Sequence, residues 1–326
     1  MTVLRSKIIG TGSYLPEKVL TNQDLEGTVD TSDSWIQERT GIKERHIVAE
    51  DENTSDIAYQ AALKAITSAK IKANDIDLIV LATTTPDHIF PATAAKVQAL
   101  LGIKRAAAFD IQAVCSGFVF ALDVADSMIK SGKYKRALVI GAETMSRILN
   151  WTDRNTCVLF GDGSGAVVLE GYECEGTQTD RGIIDTIIHT DGRHYEKLQQ
   201  TGGISDKDRN IGYIHMEGKE VFKHAVSNLT KVAEDILQRN DLSGEDLDLF
   251  IPHQANLRII DSTAKKLKFT LEKTIITVYY HANTSSASIP LAMDYAVRNG
   301  RLREGDLILL DCMGAGFTWG ASLIRF

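Results

Sequence analysis

The sequence predicts an α/β fold in which two similar halves, each built of βαβ-type units, stack as a sandwich of two sheets. Three observations predict it. The order helix, strand, helix, strand, helix, strand runs twice, at an offset of about 170 residues. Both runs carry D-x-D-L where a polar turn meets an apolar strand, as Asp75-Ile-Asp-Leu and Asp246-Leu-Asp-Leu. Cys115 stands 17 residues before Gly132 and Asn283 stands 17 before Gly300, so two polar residues occupy equivalent points of the repeats. Two unrelated nucleotide-binding-type domains would show no such fixed offset. The halves are taken as residues 1–175 and 176–326.

Each element has its own reason. Ile57, Ala58, Ala61, Ala62, Ala65, Ile66 and Ala69 recur at helical spacing after the cap candidates Thr54 and Ser55. Val221, Phe222, Ala225, Val226, Leu229, Val232, Ala233, Ile236 and Leu237 do the same in the second half. The apolar runs 75–81 and 246–251 follow as strands. Second helices are predicted over 93–101 and 257–267, and second strands over 106–111 and 274–280. A third helix begins near Gly117-Phe118 with Val119, Leu122, Ala125, Met128 and Ile129 as its apolar face, and Gly132 and Gly300 close the third helices as C-caps. Final strands are predicted over 137–140 and 307–310. Strands alternating with helices imply largely parallel sheets covered on both faces.

Composition excludes several classes. With 326 residues, 44% of them apolar, the chain can bury a large core, and 5 prolines against 25 glycines argue against Pro-rich linkers. A net charge of −7 repels polyanions, which argues against nucleic acid as the main partner, although a local basic patch can still meet an acidic protein. Cys115, Cys157, Cys174 and Cys312 show neither C-x-x-C nor zinc spacing and are read as free thiols in a reducing compartment, with no metal. The opening MTVLRSKIIG has no signal-peptide apolar region, and no run approaches 18 apolar residues. The expected location is the cytoplasm, away from the membrane.

In open α/β sheets, sites lie beyond the carboxyl ends of strands. That rule selects the residues after Ile111, Ile251 and Tyr280: Gln-Ala-Val-Cys115-Ser-Gly, Pro-His253-Gln-Ala-Asn256 and His281-Ala-Asn283-Thr-Ser-Ser. Cys115 precedes a helix, whose N-terminus favours thiolate over thiol, and Gly117 lets a ligand come close. A buried structural cysteine is the competing reading, and Cys157, Cys174 and Cys312 keep it. His253 follows Pro252, which disfavours continuing the strand ladder and presents the imidazole at the strand tip. His46, His88, His189, His194, His215 and His224 lack such a context. His281 competes, but falls on the predicted strand rather than past its end. Asn283 alone could shape a turn; opposite Cys115 and beside His253 it becomes a hydrogen-bond donor to a carbonyl oxygen. A Cys/His/Asn set without metal ligands points to acyl transfer through a thioester. The glycine runs Gly161-Asp-Gly-Ser-Gly165 and Met313-Gly-Ala-Gly-Phe317 lack the P-loop lysine and mark close backbone approach instead.

Over essentially its whole length the chain resembles the β-ketoacyl-acyl carrier protein synthases of type III, in the thiolase-like superfamily. The resemblance is carried by Asp30-Thr-Ser-Asp-Ser-Trp35-Ile, Arg39-Thr-Gly-Ile, Cys115-Ser-Gly-Phe, Thr152-Asp-Arg154, Phe160-Gly-Asp-Gly, Ile251-Pro-His-Gln-Ala-Asn256-Leu-Arg258, Asn283-Thr-Ser and Phe317-Thr-Trp-Gly320. It implies a five-layer αβαβα sandwich, a homodimer, and decarboxylating condensation of an acyl-CoA primer, typically acetyl-CoA, with malonyl-acyl carrier protein. No cofactor is implied beyond the coenzyme A thioester as substrate. By the resemblance Cys115 is the nucleophile, while His253 and Asn283 stabilise the enolate. Trp35, Arg39, Arg154 and Asn256 would bind coenzyme A, and Lys223, Arg258, Lys265 and Lys266 would dock the acidic carrier protein. Phe90 would reach the partner subunit's acyl pocket, with Met313 also at that pocket. An oxyanion hole would use the backbone amides of Cys115 and Ala315. Met313 and Ala315 depart from the common F-G-G-G turn, and Ala315 would be strained if that turn required a positive φ there. A relative from secondary metabolism with another acyl starter, a thiol hydrolase using the same Cys115 and His253, and a silent acyl-binding protein are the alternatives.

Overall fold

The computed structural model describes residues 2–326. A five-stranded sheet has the order Val3–Tyr14, Asp162–Cys174, Arg136–Thr144, Leu78–Ala82, Ala107–Ile111. A second has the order Gly182–Thr190, Thr318–Arg325, Leu307–Gly314, Leu249–Pro252. The four strands of the second correspond in order to the first four of the first. In each, two antiparallel pairings join the long outer strands, and a parallel pairing follows on the inner side.

Five layers follow from which faces of these strands are apolar. Leu78, Val80 and Ala82 point to one side of the first sheet and Ile79 and Leu81 to the other, and all five are buried. A strand buried on both faces has no polar alternation, which is why it reads as an uninterrupted apolar run. Between the sheets lie the helices Gly117–Lys130 and Ser288–Arg298, which share one apolar cluster with the inner faces of both. The helices Thr54–Ser68 and Thr93–Leu100 cover the outside of the first sheet. Gly218–Arg239 and Leu257–Lys266 cover the outside of the second. The expected αβαβα sandwich is the architecture found. Among the described residues no helix is long and apolar enough to cross a membrane.

The repeated D-x-D-L has a physical cause in both halves. Asp75 accepts a hydrogen bond from the Lys72 backbone at 2.9 Å and Asp246 accepts one from Ser243 at 2.8 Å, each closing a 3-10 turn. The second aspartate of each motif catches the chain entering the neighbouring strand: Asp77 accepts from Lys135 and Arg136, and Asp248 from Leu307. The first aspartates therefore lie in turns rather than in strands, which begin only at Leu78 and Leu249.

Two further expectations are corrected. The helix predicted to be capped by Thr54 or Ser55 includes both, and Asn53 is its N-cap. The strand expected over 274–280 shrinks to a bridge between Thr274 and Phe250, followed by the helical turn Val278–His281. That bridge sits where Ala107–Ile111 sits in the first sheet. The backbone leaves the sheet early, and Gln254 holds the departing chain by accepting from the Thr277 and Val278 amides at 2.8 and 3.1 Å.

Candidate active site

Cys115 lies in a 3-10 turn, Val114–Ser116, between the strand Ala107–Ile111 and the helix Gly117–Lys130. Its predecessor Val114 has φ 50°, a left-handed conformation that a β-branched residue adopts only when its surroundings hold it there. Those surroundings are the Met313-Gly-Ala-Gly-Phe317 turn. A Cβ on Gly314 would stand 2.8 Å from the Cys115 nitrogen and 2.8 Å from the Ala113 oxygen, so only glycine lets the turn lie against the elbow. Thr318 Oγ1 donates to Ala113 O at 3.0 Å and Ser116 Oγ donates to Thr318 O at 2.9 Å, tying the two together. The strain feared at Ala315 does not arise: Gly316, at φ 129°, takes the unusual conformation.

His253 follows Pro252, the last residue paired in its strand, and its amide donates to Asp311 O at 2.8 Å. Asn283 is fastened to the other half by backbone alone: its amide donates to Leu159 O at 2.9 Å and its carbonyl accepts from Gly161 N at 3.0 Å. Gly161 is open to this approach because a Cβ there would meet Arg45 and the His281 carbonyl.

Cys115, His253 and Asn283 line a single cleft of about 600 Å³, and each is buried, at 6%, 4% and 6% exposure. Met313 and Gly314 form its wall at the turn, with Asn228 Nδ2 donating to Met313 Sδ at 3.9 Å; Ala315 stands one residue beyond the lining. Trp35, Arg39, Asn256 and Arg258 also line the cleft. Trp35 comes from the helix Asp33–Thr40, capped by Ser32, and stacks against the guanidinium groups of Arg39 and Arg154, 4.4 and 5.0 Å from its ring centroid. Arg154 is itself outside the lining and donates to the Asp30 carbonyl at 2.6 Å. Asn256 is an N-cap whose side chain accepts from Ile259 N at 3.0 Å, and Arg258 lies over Phe222.

Burial sets the protonation states. The Cys115 thiol is pushed up to about 12, first by burial, against the effect of the Ser285 side chain and with the Glu143 carboxylate adding to the rise. The helix N-terminus was expected to favour thiolate; desolvation outweighs it, and the resting group is a thiol. His253 is pushed down to about 3 by burial alone, so its imidazole is neutral, and its Nδ1 is buried without a partner. His281 lies in a helical turn and not on a strand, is also pushed down, to about 4, and does not line the cleft.

Several predicted residues lie elsewhere. Lys223, Lys265 and Lys266 are exposed outside the cleft, and Lys265 pairs with Asp261 at 2.6 Å. Phe90 is 83% exposed, beside Ile89 at 74%, and does not enter this chain's cleft. The sequence reading missed Lys219, which lines the cleft at the start of the helix Gly218–Arg239, and the Glu143–Ser285 pair behind Cys115. Inspecting the strand end after Ile140 as well as the other three would have found Glu143.

Comparison with known proteins identifies the family. Family models described as 3-oxoacyl-[acyl-carrier-protein (ACP)] synthase III and as its C-terminal part match residues 109–192 and 237–326. A β-ketoacyl-[acyl-carrier-protein] synthase III of Rhodospirillum centenum is 60% identical over 323 residues, and one of Paramagnetospirillum magneticum is 58% identical over 323, each alignment covering 99% of both chains. The crystal structure of 3-oxoacyl-[acyl-carrier-protein] synthase III from Aquifex aeolicus, 49% identical, superposes with a TM-score of 0.92 over 98% of this chain and 100% of that one. A buried thiol, a neutral imidazole and a carboxamide gathered from two duplicated halves, on a chain this similar to those proteins, mean that it belongs to the β-ketoacyl-acyl carrier protein synthase III family of condensing enzymes.

Proposed function

We propose that the enzyme condenses an acyl-CoA primer, acetyl-CoA in the simplest case, with malonyl-acyl carrier protein and so starts a fatty acid chain. The observation that carries this reading is the meeting of Cys115, His253 and Asn283 in one cleft with the imidazole held neutral. Cys115 sulfur attacks the primer's thioester carbonyl, the carbon–sulfur bond to coenzyme A breaks, and the thiol proton leaves with coenzyme A. Malonyl-acyl carrier protein then loses CO₂, and its electron pair is held as an enolate. Neutral His253, donating through Nε2, and Asn283, donating through Nδ2, stabilise that oxygen, each donor being worth about 3 kcal/mol. The enolate carbon attacks the acyl carbonyl on Cys115, and the sulfur leaves as thiolate and recovers a proton from water. The chemistry calls for no metal or cofactor.

Around this centre, Trp35 with Arg39 and Arg154 would hold the adenine end of coenzyme A, and Asn256 would shape the path to it. Lys223, Arg258, Lys265 and Lys266 would receive the acidic carrier protein. The amides of Cys115 and Ala315 would hold the carbonyl oxygen of the acyl group. Phe90, exposed on a single chain, would close the acyl pocket of a second copy beside Met313. The halves divide near residue 175, and the enzyme would work in the cytoplasm.

The test is product analysis with acetyl-CoA and malonyl-acyl carrier protein. Acetoacetyl-carrier protein should form, radiolabelled acetyl-CoA should label Cys115, and Cys115→Ala should abolish both. Full condensation by Cys115→Ala, or turnover of acetyl-CoA to free acetate with no carrier-bound product, would overturn the reading.

A further inference from the structure

Behind the cleft a carboxylate from the first half meets the asparagine loop of the second. Glu143, in the strand Arg136–Thr144, is fully buried, and its two oxygens accept from six donors. Oε2 accepts from Thr83 Oγ1 at 3.2 Å, Thr84 N at 2.9 Å, Thr85 N at 3.2 Å and Thr85 Oγ1 at 2.7 Å. Oε1 accepts from Ser285 Oγ at 2.9 Å and from Ser286 N at 3.4 Å. Ser285 is held at φ 49°, an uncommon conformation for a serine, and its amide donates to Asn283 Oδ1 at 2.9 Å. An amide oxygen engaged in this way leaves the Asn283 Nδ2 protons as the ones free for a ligand.

We propose that Glu143, acting through Ser285, is a positioning residue for the decarboxylation step, fixing the Asn283 carboxamide with its NH₂ group toward the substrate's thioester oxygen. This rests on the condensing reading above. The anchor spans the two halves: the rigid strand end that carries Glu143 sets the loop that carries Asn283. The approach is tight enough that a Cβ on Gly141, two residues earlier in that strand, would stand 2.4 Å from Ser286 O. Side chains locked by such partners hold a donor where charge develops, and small displacements are expensive in rate. Ser286 Oγ, donating to Ala82 O at 2.9 Å, secures the loop on a second strand end.

Glu143→Gln tests it. Each oxygen of Glu143 accepts at least one backbone N–H, which can only donate, so an amide NH₂ at either place must turn one anchor away. Release of labelled CO₂ from carboxyl-labelled malonyl-acyl carrier protein should fall about tenfold to a hundredfold, with KM for the carrier protein unchanged. Labelling of Cys115 by acetyl-CoA should not fall, because that half-reaction does not use Asn283 and loss of the Glu143 charge removes one cause of the raised thiol pKa. The double variant Glu143→Gln/Asn283→Ala should release CO₂ no more slowly than Asn283→Ala alone. Should Glu143→Gln fail to fold, Ser285→Ala combined with Asn283→Ala gives the same cycle in the CO₂ assay. Equal losses in labelling and CO₂ release, additive double variants, or wild-type CO₂ release by Glu143→Gln would overturn the proposal. Absence of CO₂ release by the unmodified enzyme would instead sink the condensing reading itself.

Discussion

Cys115 combines two opposed demands. As the proposed nucleophile it must attack a carbonyl, yet it sits in a dry cleft where burial and the neighbouring Glu143 charge push its thiol up to about 12. Its alkylation by iodoacetamide should therefore rise about tenfold for each pH unit between 7 and 10, following the thiolate fraction of a group still far below its pKa. A plateau at or below pH 8 would show that the helix N-terminus wins after all. The sequence marks Cys115, His253 and Asn283 because strand ends and spacing are visible in it. Burial is not, and so the thiol's direction was misjudged. Glu143 was equally illegible as a partner: nothing local in Gly-Ala-Glu143-Thr tells that Ser285, far along the chain, returns to it.

At the scale of elements, helix placement depends on the smallest side chains. The helix Thr54–Ser68 lies on the strand Val3–Tyr14 so closely that a Cβ on Gly12 would stand 2.3 Å from Ala65 N and 2.4 Å from Ala61 O. Gly10 faces Ala65 and Ala69 in the same way. Gly12→Ala should push the helix outward and cost about 1–3 kcal/mol of stability, seen as a lower midpoint in urea unfolding, with Cys115 labelling retained. An unchanged midpoint would contradict that packing. The alanine stripe of this helix was legible as periodicity, but its glycine counterpart was not, since a glycine in a strand carries no sign of what crosses it. The lost strand at 274–280 has a similar cause. Its β-branched and aromatic residues favour extended backbone, but Gln254 holds the Thr277 and Val278 amides and leads the chain into a helical turn.

For the whole molecule, the duplicated pattern foretold the stacked sheets because both halves repeat the same turn chemistry and the same two-faced apolar strands. The proposed association between chains is hardly legible in the sequence, and the structure adds Ile89 and Phe90, large apolar side chains exposed at 74% and 83%. These two side chains are the surface on which the proposed dimer would form. Sedimentation should show a particle of twice 35.8 kDa, and Phe90→Asp should weaken it to the single chain. A wild-type monomer at micromolar concentration would refute the dimer.

The two sheets are joined in sequence only by residues 175–181, yet the helix of each half is wedged between both of them. Severing that connector would yield two polypeptides, each with an oily helix left bare, one owning the sulfur and the other the imidazole and the carboxamide. Neither piece would hold the whole cleft by itself, since its lining is drawn from both. The seam between the halves is thus as much a part of the site as the three side chains that meet there.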